Sequence, residues 1–226
     1  MLLHIANVLT QDELAQCREL LASAQWADGR VTAGHRSAKV KENLQLPQDG
    51  GEARYAGAVV LQALERNALF ASAALPRYVY PPLFNKYECG MSFGAHVDNA
   101  IRPVPGGSRR IRTDLSATLF LSAPDDYDGG ELVIEDTYGT HGVKLPAGDM
   151  ILYPATSLHR VVPVTRGARI ASFFWVQSIV KDDGERRLLF DLDRAVVKLA
   201  ESEAAHAALA QLTAIYHNLV RKWGET

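Results

Sequence analysis

Apolar and polar positions follow three regimes along the chain. Leu14, Cys17, Leu20 and Leu21 recur at helical spacing behind Thr10 and Glu13, a pair with capping-box separation. The pattern predicts a first helix ending near Trp26. A second is predicted from Glu52 to about Ala71, with Tyr55, Val59, Leu61, Leu64 and Leu69 as its apolar positions. Between them DGRVTAGHRSAKVKENLQLPQDGG is polar and dotted with glycine, which reads as loop or weak hairpin. After Leu75 the helical period gives way to short β-type runs, among them PRYVYPPLFNKYECG, DLSATLFLS, ELVIED, DMILYP and ARIASFFWVQSIV. PDDYDGG, PAGD and TRGA supply the turn residues between such runs. Helical periodicity returns at Gly184 and predicts two further helices.

Many short strands at this spacing predict a β-sandwich or barrel, the jelly roll included, so the fold class is mainly β with flanking helices. Three parts follow: residues 1–75 as an N-terminal helical flank packing on the core, 76–180 as the β core, and 181–226 as a C-terminal helical extension. Composition changes this picture little. With 47% hydrophobic and 22% charged residues the chain is ordinary for a globular protein, and a net charge of -2 gives no general attraction to nucleic acid or to a membrane surface. Neither partner is expected. Cys17 and Cys89, the sole cysteines, support neither a disulfide framework nor a cysteine zinc site. With no basic leader and no long apolar run, the expected location is the cytoplasm.

Chemistry enters at FGAHVDN. Residues two apart on a strand share a face, so His96 and Asp98 would present an imidazole and a carboxylate to one point. His159, after the strand-like GDMILYP, is the candidate third ligand. Two histidines and a carboxylate form the facial triad that holds non-haem Fe(II) with positions left open. Zinc accepts the same ligands but prefers tetrahedral closure. Arg169 favours iron: it lies in the next β run beyond TRG, and its guanidinium fork would pair with the far carboxylate of a 2-oxo acid chelating the metal. A zinc-dependent hydrolase using the same triad and a non-catalytic iron or 2-oxoglutarate sensor stay open as alternatives.

NKYECGMSFGAHVD, SATLFLSAPDDYDGGELVI and GDMILYPATSLHRVVPVTRGARIASFFW together resemble the Fe(II)/2-oxoglutarate-dependent dioxygenases of the prolyl-4-hydroxylase-like branch, most closely the bacterial PKHD-type hydroxylases linked to iron uptake. The matching segments span about residues 83–177, and the likeness to PKHD-type proteins extends to both helical flanks. The resemblance implies a double-stranded β-helix core with His96, Asp98 and His159 as iron ligands. It implies Arg169 at the distal carboxylate of 2-oxoglutarate and Tyr87 near that carboxylate. Animal and plant prolyl hydroxylases usually carry lysine where this chain has Arg169, a departure that keeps the charge. The implied reaction is hydroxylation of an unidentified small-molecule or peptidyl substrate with O2, releasing succinate and CO2, with L-ascorbate restoring Fe(II).

Two features remain at the margins. NAIRPVPGGSRRIRTD follows the HxD pair and clusters Arg102, Arg109, Arg110 and Arg112, either a solvated, mobile loop or a lid over the active site favouring an acidic or phosphate-bearing substrate. The C-terminal stripes, Leu188 to Leu199 and Leu209 to Val220, suit packing on their own domain or a homodimer face.

Overall fold

Two antiparallel sheets face each other with helices on one side, in a computed structural model that describes residues 1–32, 37–137, 139–201 and 206–225. β1 (Leu3–Ile5) leads into α1 (Gln11–Ser23). The Thr10 hydroxyl accepts the Glu13 N–H at 3.3 Å and the Glu13 carboxylate accepts the Thr10 N–H at 2.9 Å, completing the capping box. The helix stops at Ala24, which is extended.

The stretch expected as loop contributes three short strands, β2 (Ala27–Asp28), β3 (Lys41–Glu42) and β4 (Leu44–Gln45). The helix expected over 52–71 is two, α2 (Gly51–Glu65) and α3 (Ala68–Ala74). Asn67 causes the break: its extended backbone leaves the helix, and its side-chain oxygen accepts the Phe70 N–H at 2.9 Å to start α3. Apolar periodicity runs through this junction because both helices bury the same side.

The β core follows as β5 (Pro76–Val79), β6 (Leu83–Tyr87), β7 (Ser92–His96), β8 (Ile101–Pro103), β9 (Arg110–Arg112), β10 (Leu115–Phe120), β11 (Tyr127–Gly129) and β12 (Leu132–Asp136). It continues with β13 (Gly139–Val143), β14 (Met150–Pro154), β15 (Leu158–Val161), β16 (Val164–Gly167) and β17 (Arg169–Ser178). The larger sheet runs β1-β14-β10-β17-β6-β4-β2 with β5 also on β17, and the smaller runs β13-β12-β15-β7-β3. This is the jelly-roll arrangement expected from the strand pattern.

Alternation along β10 shows how the layers form. Leu115, Ala117 and Leu119 pack with Leu14, Cys17, Val60 and Leu64 of α1 and α2, each fully buried large side chain contributing about 1.5–3 kcal/mol. Ser116, Thr118 and Phe120 therefore face the inside of the sandwich. Tyr127, Leu132, Ile134 and Val143 fill one end of that interior, and Tyr80, Leu83, Ile111 and Trp175 the other. Polar side chains occupy the space between. One side is closed by residues 41–45, since β3 pairs with β7 in the smaller sheet and β4 with β6 in the larger.

α4 (Asp183–Ala200) and α5 (His206–Trp223) form the C-terminal pair. Phe190 joins the main core, and the Ser72 hydroxyl donates to Asp193 at 2.6 Å, tying α3 to α4. Buried Arg186 donates to the Val180 carbonyl at 2.8 Å and to Asp183 at 2.6 Å. The stripes divide: Leu189 and Phe190 are buried, whereas Leu188, Val197 and Ile215 are exposed. Among the described residues no helix is long and apolar enough to cross a membrane.

Candidate metal centre

His96 ends β7 and His159 lies in β15, where the antiparallel register makes them direct cross-strand partners. Their ring centres are 4.3 Å apart. Asp98 lies just beyond the end of β7, not on the strand, so departure from extended pairing swings its carboxylate toward the histidines. Its Oδ2 is 3.8 Å from His159 Nε2, and one ligand atom from each of the three residues lies within 4.8 Å of the others.

Each side chain is oriented by its neighbours. His96 Nδ1 is 2.8 Å from the Gly94 carbonyl and His159 Nδ1 is 3.0 Å from the Ser157 carbonyl. A carbonyl only accepts, so both Nδ1 atoms carry the proton and both Nε2 atoms present a lone pair. The Ser116 hydroxyl donates to Asp98 Oδ2 at 2.6 Å, leaving the other oxygen free of that bond. Phe93 stacks on His96 with ring centres 3.6 Å apart, and Tyr153 meets His159 edge-on at 5.3 Å. Burial, followed by the nearby His159, pushes the His96 pKa down to about 4, so this imidazole is neutral and ready to ligate at neutral pH. Burial and then Asp98 push the Tyr153 phenol far up, keeping its proton in place. Two imidazole nitrogens and one carboxylate fit a divalent iron and leave coordination positions for small ligands.

The triad opens into a cavity of about 740 Å³, counted with its mouth. Arg169 lies in its wall at the start of β17, across from Tyr87, and is 1% exposed. Among the described residues its Nε and Nη1 meet no hydrogen-bond acceptor. Its guanidinium carbon sits 5.4 Å from the Tyr87 ring centre and 5.2 Å from that of Phe120. A buried guanidinium left with idle donors is costly unless a carboxylate or similar anion reaches it. Burial raises the Tyr87 phenol to about 12 against the opposing pull of Arg169, so its hydroxyl stays protonated at neutral pH. The side-chain oxygen of Asn85, from the same wall, is also without a partner.

The four arginines of the basic loop separate. β8 and β9 form a hairpin, and Arg102 turns inward to line the cavity, its guanidinium carbon 3.9 Å from the Trp175 ring centre. Arg109 lies 5.1 Å from the Tyr78 ring and Arg110 is exposed. Arg112 does not line the cavity. It donates to Asp114 at 2.6 Å, to Glu225 at 3.0 Å and to the Ser178 carbonyl at 3.3 Å, pinning the chain end to the core.

Sequence reasoning missed the residues that orient the site. Ser116 and Tyr153 face inward by alternation on β10 and β14, a signal visible only once the face toward the cavity is known. Lys41 was hidden because the segment around it is polar; it lines the cavity at 4% exposure, and burial together with Arg102 lowers its pKa to about 8.

Comparison with known proteins bears on these features. Residues 82–177 match the 2OG-Fe(II) oxygenase superfamily and residues 183–225 the PKHD-type hydroxylase C-terminal domain. The chain is 61% identical to a PKHD-type hydroxylase of Gluconobacter oxydans and 60% identical to one of Xanthomonas campestris pv. campestris, with all of each chain covered. One of Bordetella pertussis is 58% identical over 99% of both chains. Among solved structures, a Pseudomonas putida prolyl-4-hydroxylase superposes with TM-score 0.51 at 21% identity, covering 78% of this chain and 92% of that one. A Trichoplax adhaerens prolyl hydroxylase, solved with a hypoxia inducible factor peptide fragment, gives 0.54 at 17% identity over 83% and 86%. These two likenesses concern the fold. Full-length identity near 60% reaches further: the chain belongs to the PKHD-type hydroxylases, enzymes of the Fe(II)- and 2-oxoglutarate-dependent oxygenase superfamily.

Proposed function

We propose that His96, Asp98 and His159 hold Fe(II), that Arg169 and Tyr87 receive the distal carboxylate of 2-oxoglutarate, and that the enzyme hydroxylates a C–H bond of its substrate while releasing succinate and CO2. The observation that carries this reading is the Arg169 guanidinium, buried in the wall of the cavity that holds the triad, with two donor nitrogens unmet. The zinc-hydrolase alternative requires no 2-oxo acid and so assigns this cation no co-substrate.

Bound iron with 2-oxoglutarate would supply the oxidising power for the substrate C–H bond. The chain's own residues do the rest. The Gly94 and Ser157 carbonyls hold both imidazoles in one tautomer, and Ser116 holds the Asp98 carboxylate. Arg169 fixes the far end of the co-substrate by charge, with the Tyr87 phenol as a neutral donor. Phe93, Phe173 and Trp175 wall the cavity and restrict water.

The same reading includes L-ascorbate as the reductant that restores Fe(II), a cytoplasmic location, supported by two unpaired cysteines, and a role in iron supply, supported by the sequence resemblance. It treats residues 76–180 as the catalytic core, 1–75 as its N-terminal flank and 181–226 as the C-terminal extension.

Paired substitutions test the division of labour. His159→Ala should abolish metal binding in a titration with Mn(II), whereas Arg169→Ala should keep the metal and weaken 2-oxoglutarate binding about 100-fold, the loss of a charge-assisted double contact. Equal loss of metal in both variants would overturn the assignment. A sensor in place of an enzyme would bind both ligands yet consume no oxygen with any substrate.

A further inference from the structure

Two more cations share the cavity, and the co-substrate has no use for one of them. Arg102 enters from the β8–β9 hairpin, its guanidinium carbon 3.9 Å from the Trp175 ring centre. Lys41 comes from the strand that bridges the two sheets, its ammonium 5.4 Å from the Phe93 ring centre and 5.9 Å from that of Phe173. Gln45 accepts from Lys41 Nζ at 3.0 Å and holds it in place.

Register along β17 orders these groups. Arg169, Phe173 and Trp175 share the inward face, and a strand rises about 3.3 Å per residue, so Trp175 lies about 20 Å along the strand from Arg169. Arg102 is stacked at the Trp175 end, while Arg169 is held between Tyr87 and Phe120 at the other. A five-carbon diacid that chelates a metal on the triad with one end and meets Arg169 with the other has both carboxylates engaged, which leaves Arg102, stacked at the Trp175 level, to another group. Lys41, beside Phe173, stands between the two levels; burial and then Arg102 lower its pKa, and Asp98 and Asp28 act in the opposite direction. Two cationic side chains lining one half-enclosed cavity turn a positive face toward any anion that enters it.

We propose that Lys41 and Arg102 form the headgroup subsite for the primary substrate, a small molecule with one anionic group and a flat apolar body that lies against Phe93, Phe173 and Trp175. The inference rests on the oxygenase reading of the cavity and adds the substrate's chemical class. The anion would dock on the wall away from Arg169, leaving the apolar body to extend beside the triad. Of the basic loop, Arg102 alone takes part; Arg109 on Tyr78 and Arg112 in its ion pairs do not reach the cavity wall.

The test uses full-length protein loaded with Mn(II), which is inert to turnover, and saturated with 2-oxoglutarate so that Arg169 is occupied. Phenylacetate, phenyl phosphate and the uncharged phenylacetamide are titrated by calorimetry. At least one anion should bind about tenfold more tightly than the amide, the worth of a charge-assisted contact, and the stronger one identifies the headgroup as carboxylate or phosphate. Lys41→Met and Arg102→Gln should each erase that preference and leave 2-oxoglutarate affinity within about twofold. Should Lys41→Met fail to fold, Arg102→Gln and the charge-conserving Lys41→Arg, which should retain the preference, carry the test. The proposal is overturned by equal binding of anions and amide, by no binding of either anion at about 10 mM, or by a preference surviving in Arg102→Gln. It is likewise overturned if the variants weaken 2-oxoglutarate about tenfold, since the cations would then serve the co-substrate. Loss of Mn(II) or 2-oxoglutarate binding in the wild type is a separate readout in the same titrations and would instead sink the oxygenase reading.

Discussion

At Asp98 one hydroxyl decides where the carboxylate points. Ser116 donates to Oδ2 from the neighbouring sheet, so Ser116→Ala should leave the fold intact and loosen the metal about 10–100-fold in a Mn(II) titration, the usual cost of losing a ligand's orienting partner. Unchanged affinity would mean that the loop alone positions the carboxylate. Arg169 makes the opposite kind of prediction. Its charge is buried with unmet donors in the absence of co-substrate, so Arg169→Met should hold or raise the melting temperature of the ligand-free protein. The same variant should lose the upward shift that 2-oxoglutarate gives the wild type. A large drop in the ligand-free melting temperature would show that Arg169 is a structural residue after all.

At the scale of elements, Asn67 separates α2 from α3 by capping the second helix, and Asn67→Ala should cost about 1 kcal/mol in urea unfolding without touching metal affinity. This junction also shows what the sequence could and could not reveal. Apolar spacing located the helical face on both sides of Asn67, but a cap inside a continuous stripe is masked by the stripe. The β core was legible because its runs alternate and its turns carry Gly, Pro and Asp. The candidate triad was legible because its residue types and order matched a known pattern, and the structure brings the three side chains together even though Asp98 lies off the strand assumed for it. β3 and β4 were not legible, since each is two residues long and their register comes from sheets built by distant parts of the chain. Lys41 was lost with them. Local sequence carries no sign that a polar segment will close a cavity.

Across the whole molecule, both flanks of the β core are tied to it. β1 pairs with β14, the N-terminal amine meets Asp183 at 3.1 Å, Phe190 packs with the residues that α1 and α2 bury, and Arg112 holds Glu225. Unfolding should therefore be a single transition, and Phe190→Ala should destabilise all of it by about 3 kcal/mol, visible as a parallel shift of fluorescence and circular dichroism curves. A separate early transition for α4 and α5 would show that these helices are a detachable tail. The central claim, however, concerns what the jelly roll encloses: a triad that holds iron and a buried arginine that holds the far end of a 2-oxo acid. The most direct measurement is the visible spectrum of the anaerobic protein as Fe(II) and then 2-oxoglutarate are added. A metal-to-ligand charge-transfer band should appear only with both present, should vanish in His159→Ala, and should require far more 2-oxoglutarate in Arg169→Ala. A folded wild-type protein that gives no such band would contradict the account.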